Sequence, residues 1–112
     1  MASFIEFEGH KISIGDVFVS SWGCEQTNVN FYQVVAVSGK MTVKIREIES
    51  QTINDGAQSF TGKKYARLDR FKNEVVLTRR LLRGYDEPTL NDDHTIMSKS
   101  NPFKGHRFSS YA

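Results

Sequence analysis

Apolar residues in this chain fall in short runs that mostly alternate with polar ones, the period of half-buried β-strands. Ile5 and Phe7 alternate with Glu6 and Glu8, and Ile12 and Ile14 with Lys11 and Ser13, across Glu8-Gly9-His10. That pattern predicts an opening β-hairpin over Phe4 to Ile14. From Val17 to Trp22 both phases are apolar, Val17 and Val19 on one and Phe18 and Trp22 on the other. A strand covered on both faces has this composition, so Val17 to Trp22 is the candidate central strand. Val29 to Val37 is again apolar on both phases. Ser38-Gly39-Lys40 then turns the chain into Met41, Val43 and Ile45, which alternate with Thr42, Lys44 and Arg46. The apolar phase slips at Ile48, predicting a bulge or a strand end near Glu47.

Beyond that point the signals weaken. Gln51 to Ser59 contains Asn54-Asp55-Gly56 and reads as a loop. Thr61 to Leu68 reads as a short strand and Glu74 to Leu82 as a longer one, joined by a basic connector through Asp69, Arg70, Phe71, Lys72 and Asn73. Leu68, Phe71 and Val75 are spaced by three and four, which also admits one helical turn between Ala66 and Phe71. Gly84 to Asp93 is acidic and turn-rich, and Pro88 bars it from a central strand, so it reads as an exposed loop. In the tail, Phe103, Phe108 and Tyr111 call for burial and predict that this end packs back on the sheet. Short strands at such spacing predict an all-β fold: one domain over residues 1–112, a small SH3-like or related β-barrel or strongly curved antiparallel sheet with a packed C-terminal β segment.

With 112 residues, 38% hydrophobic and 25% charged, the chain has the composition of an ordinary globular domain. No run approaches the roughly 18 apolar residues of a spanning helix, and the first residues lack the basic start and apolar block of a secretory signal. These features predict a cytoplasmic protein with no membrane partner. A single Cys24 makes no internal disulfide and no cysteine-based zinc site. The net charge is only +2, but it is unevenly spread. From Lys40 to Arg83 eleven lysines and arginines stand against five acids, a segment of +6 in a remainder of −4.

Two sets of residues are candidates for function. The first is basic with interleaved aromatics: Lys44, Arg46, Lys63, Lys64, Tyr65, Arg67, Arg70, Phe71, Arg79 and Arg80. Cations on phosphates and rings under bases are the means by which small β-barrels hold single-stranded nucleic acid, although exposed lysines also serve solubility and protect sheet edges. The second is the polar corner between two strands, with Trp22, Gln26, Thr27, Asn28, Tyr32 and Gln33. It either satisfies the backbone of a sharp turn or lines a pocket for a small nucleotide-like ligand. Ser20, Ser21, Cys24, His10, His94 and His106 supply no nucleophile or metal-ligand spacing, and Asp92-Asp93-His94 lacks further ligands. No catalytic residue, metal or cofactor is predicted.

The stretch Gly15 to Val34 carries Gly15-Asp16-Val17-Phe18, Ser21-Trp22-Gly23, Gln26-Thr27-Asn28-Val29 and Phe31-Tyr32-Gln33-Val34. It resembles the signature Gly-Asp-Ile/Val-Phe-x-x-Ser-Trp-Gly-Tyr-Glu/Asp-Gln-Thr-Asn-Val-Asp-Phe-Tyr-Gln-Val of a family of small uncharacterised proteins encoded by phages, plasmids and bacteria. Cys24 stands where that pattern has Tyr, and Asn30 where it has Asp. The resemblance covers about a fifth of the chain and implies a mobile-element origin without an activity. The expectation is therefore a non-enzymatic accessory protein, monomeric or dimeric, that binds nucleic acid through its basic face. The alternatives are an inhibitor of a host protein, a defence system or nuclease, and capture of a nucleotide-like ligand at the Trp22 corner.

Overall fold

The computed structural model describes residues 4–22, 27–56, 61–92 and 95–109, and the regular elements among them are all β-strands. No helix among them is long and apolar enough to cross a membrane. The opening hairpin forms as the alternation predicts, β1 (Phe4–Phe7) against β2 (His10–Ser13). Its turn residues Glu8 and Gly9 take φ values of 51° and 81°, as a two-residue hairpin turn demands. Gly15 also needs positive φ, 98°, to hand the chain to β3 (Val17–Trp22). The neighbouring Asp16 carboxylate fixes that corner by accepting the Ser13 N–H at 2.8 Å.

From β3 the chain makes an antiparallel meander into β4 (Asn28–Ser38) and β5 (Thr42–Asn54). One edge of β5 then serves two partners in turn. Its later half pairs with β6 (Thr61–Phe71) and its first residues pair with β7 (Leu77–Arg80). On the other side, β3 pairs with β9 (Thr95–Ser100), which pairs with β8 (Thr89–Asp92). The last strand, β10 (His106–Ser109), lies along β6. The result is one strongly curved antiparallel sheet, a half-barrel ordered β10-β6-β5-β4-β3-β9-β8. A bridge between Leu81 and Leu90, and the Leu82 N–H on the Thr89 carbonyl at 2.9 Å, draw the β7 and β8 ends together.

Both faces of the β3-β4-β5 wall are covered. Phe18, Val34, Val43, Ile45, Leu90 and Met97 pack on the concave side, where Ile5, Phe7 and Ile12 of the hairpin join them. On the opposite side Val17, Val29, Phe31 and Ile48 are buried beneath Ala66, Leu68, Phe71 and Phe108. This second core explains why Val17 and Phe18 are adjacent and both fully buried. It also explains the phase slip at Ile48. Pairing of β5 with β4 runs unbroken from Ile45 to Ile48, so Ile48 points to the second core without a bulge there, and the strand continues to Asn54. The irregularity lies on the β6 side, where partners jump from Phe71 at Ile48 to Ala66 at Ser50.

Other expectations also change. Gln51 to Asn54 belongs to β5 and is not loop, because β6 supplies its ladder partners. Residues 66–71 remain in β6, and the helical turn is replaced by a left-handed residue, Asp69 at φ 63°. Thr89 to Asp92 forms β8, with Pro88 buried just before it and Thr89 and Leu90 completing the core. Pro88 thus marks a strand start, where its missing N–H costs no ladder bond.

The C-terminal segment closes the second core through Phe108, whereas Phe103, at 79% exposure, stays in solvent on the 101–103 turn and Tyr111 lies outside the described residues. The Ser109 N–H donates to the Thr27 carbonyl at 3.1 Å, and the Thr27 N–H donates to Ser109 Oγ at 2.9 Å. His106 meets the Phe31 ring edge-on, centroids 5.6 Å apart, and its Nε2 lies 2.8 Å from Ser100 Oγ. Burial, and secondly the charge of Lys104, hold this imidazole below its usual pKa of 6.5. An NMR pH titration is expected to show the His106 midpoint below 6.5, moving up in Lys104→Met. In the window below about 6.5 the unfolded chain binds this proton and the folded chain does not, so His106 makes stability rise with pH there. A midpoint at or above 6.5 would contradict the burial.

Candidate nucleic-acid interface and the Trp22 end

The period of two divides the basic segment between surfaces. On β6, Ala66 and Leu68 face the second core, so Lys63, Tyr65 and Arg67 share the opposite side. Lys63 and Arg67 are exposed, while Tyr65 is half-buried against Gly105. Ladder pairing sets Ile53 opposite Lys63 on β5 and Gln51 opposite Tyr65. From the other edge it brings Arg107 opposite Lys63. Arg107 is a cation that the basic segment does not contain, since its neighbours are fixed by the β10-β6 pairing across more than forty residues. Its guanidinium also holds the Asp55 carboxylate at 2.9 Å. Bonds from Thr61 and then Arg107 lower the pKa of Asp55 from its ordinary value, so this pair stays charged at neutral pH. Arg70 is exposed beyond the Asp69 bend.

The remaining basic candidates lie elsewhere. Lys64 points to the opposite side of β6, its Nζ 5.3 Å from the centre of the Phe108 ring. Phe71 packs in the second core, with the Arg46 guanidinium 4.1 Å over its ring. Arg46 also donates to the Asn73 carbonyl at 2.6 Å, and its buried Nε has no hydrogen-bond partner among the described residues. Arg79 is paired with Asp92 at 2.9 Å, and Arg80 and Lys44 are exposed on the convex side of β7 and β5. The ten-residue set is thus split between faces: Lys63, Tyr65 and Arg67 share one with the added Arg107 and with Arg70 at its margin, while Lys44, Arg46 and Arg80 lie on another.

The polar corner divides in the same way. Gln33 is buried and brackets Asp69: its Nε2 donates to Oδ1 at 2.8 Å and its Oε1 accepts the Asp69 N–H at 2.9 Å. It holds the left-handed bend of β6. Thr27 is the clasp for β10, and Asn28 caps the Trp22 carbonyl at 3.4 Å. Gln26 lies outside the described residues. Trp22 and Tyr32 remain at the end of the half-barrel, on the phase that faces its interior. The Trp22 indole donates to Asn30 Oδ1 at 2.8 Å, and Asn30 Nδ2 donates to Glu47 Oε2 at 3.0 Å, where Lys72 Nζ also lies 3.3 Å away. Sequence reasoning missed Asn30 and Glu47, which alternation does place on the interior phase beside Tyr32 and Ile45.

Among the described residues no three of His, Cys, Asp and Glu come together to hold a metal. A groove of about 530 Å³ near the 101–103 turn is lined by His10, Asp16, Lys99 and Phe103, among others, and contains none of the predicted residues. No family model, curated protein or solved structure matches this chain.

Proposed function

We propose that this chain is a non-enzymatic accessory protein of the phage and plasmid type, built on a small SH3-like or related barrel, that binds single-stranded nucleic acid through the exposed side of β6 and its neighbours. The observation that supports the reading is the row Arg107, Lys63, Ile53 with Arg67 and Tyr65 beside it, cations and apolar or aromatic surface on one exposed face. Phosphates engage Lys63 and Arg67, and Arg107 joins them by leaving its exposed pair with Asp55, while bases lie on the Ile53 and Tyr65 surface. Side chains of one strand face recur every second residue, so Lys63 and Arg67 stand about 13 Å apart with Tyr65 between them, which sets a ring between two phosphate contacts.

Fluorescence anisotropy of labelled single- and double-stranded DNA and RNA at several salt concentrations tests this. Lys63→Ala/Arg67→Ala is expected to weaken binding and to reduce the slope of log K against log salt by about 1.4 on single strands, two contacts at about 0.7 each. Lys44→Ala/Arg80→Ala, on the convex side, leaves both unchanged. Absence of binding to every oligonucleotide at low salt overturns the proposal.

A further inference from the structure

We infer that the Trp22 end of the half-barrel is a docking site for a protein segment that inserts a lysine or arginine side chain onto Glu47. This site is separate from the β6 face and independent of the nucleic-acid reading. Its centre is a cavity of about 130 Å³ lined by Tyr32, Glu47, Asn73, Val75 and Leu77. That is room for about four waters, too little for a nucleoside but suited to a slender alkyl chain with a polar head.

The walls and the floor fit such a chain differently. Tyr32, Val75 and Leu77 present ring and aliphatic surface, along which the stem of a lysine or arginine buries while its head seeks a charge. Glu47 supplies that charge, with its side chain only 22% exposed. The carboxylate is held in place by the chain from Trp22 through Asn30, which occupies Oε2; Oε1 has no partner among the described residues. A held carboxylate with an open oxygen is preorganised for a charge-assisted bond. Burial chiefly, then Glu47 and Asp92, raise the pKa of the Tyr32 phenol above 10.0, Arg79 opposing them. The phenol is therefore neutral at physiological pH and adds no charge of its own.

Two features favour a protein segment over a free amine. Val75, on the cavity wall, is 57% exposed, and Trp22, one hydrogen bond beyond Asn30, is 53% exposed, so apolar surface lies beside the charged floor and can exclude water around an inserted anchor. A linear amine would leave that surface in water. Lys72, half exposed, sits on Glu47 in the free protein, and an ion pair of that exposure is weakly held. The incoming side chain replaces it.

The test is an NMR titration that follows the Trp22 indole N–H and the Asn30 side-chain amide. The probes are a capped leucyl-lysyl-leucine peptide, its isostere with norleucine in the middle, and spermidine. The lysyl peptide is expected to shift both signals and to bind about tenfold more tightly than the norleucine peptide, the worth of one hydrogen bond to a charged group. Glu47→Gln, which keeps an acceptor for Asn30, removes that difference. Lys72→Ala tightens the lysyl peptide, whereas loss of a lysine weakens binding to nucleic acid. Equal binding of the two peptides, no shift with either, or a lysyl preference that survives Glu47→Gln overturns the site. Spermidine binding as tightly as the lysyl peptide overturns the assignment to a protein segment. Should Glu47→Gln lose its native dispersion, the peptide pair on the wild-type protein and Lys72→Ala still decide.

Discussion

Phe31→Ala is expected to lower the unfolding free energy by about 3–5 kcal/mol, the cost of truncating a fully buried Phe. Phe31 is 1% exposed, in the strand that pairs on both edges, with β3 on one side and β5 on the other. Such a position cannot collapse into the space the ring leaves, because two ladders hold its backbone. The ring also supports the His106 edge contact, so the clasp of β10 loosens with it. Against a total stability of about 5–15 kcal/mol typical of a domain, this is a large share. Urea denaturation measures it directly. A change under about 1 kcal/mol would mean that the second core is not packed as described.

Gly62→Ala is the second large effect. A Cβ at this position meets the Ile53 carbonyl oxygen, Asn54 Cα at 2.9 Å and Phe108 Cε1 at 2.9 Å. Two of these three are backbone, so rotamer changes bring no relief, and overpacking of this kind costs about 1–3 kcal/mol. Gly62 sits where β5, β6 and β10 meet, paired with Asn54 on one edge and Phe108 on the other. Pushing these strands apart displaces Lys63 from Arg107, so the variant is expected to lose nucleic-acid affinity as well as stability. Thermal unfolding and anisotropy on the same sample check both. A variant that melts with the wild type would contradict the close approach of the three strands.

Much of the half-barrel is legible in the sequence because its signals are local. The hairpin follows from alternating runs on either side of Glu8-Gly9-His10, and the central strand from apolar residues on both phases. What was not legible depends on distant partners. The slip at Ile48 looks like a defect until Phe71 and Phe108 arrive from β6 and β10 to cover it. Thr89 and Leu90 look like loop until Leu81 and Met97 meet them. For the candidate sites the same holds with charges. Counting lysines and arginines along the segment cannot reveal that Arg79 is committed to Asp92, that Arg46 lies over Phe71, or that Arg107 joins Lys63. The signature-like residues prove similarly divided. Gly15, Asp16 and Gln33 hold turns and bends, while Trp22 is left largely exposed.

The wall shared by two cores also limits how this sequence can vary. From Asn28 to Val37 no residue of β4 is exposed, so neither the odd nor the even positions are free to drift. A strand with one wet face accepts a charge at every second position; here Val29, Phe31, Gln33 and Val34 are buried and leave no room for one. On β6, by contrast, Lys63, Arg67 and Arg70 occupy exposed positions whose side chains can change without disturbing either interior. The chain thus keeps an inflexible middle and an adjustable flank, and related sequences that adapt to different partners have the flank in which to do it.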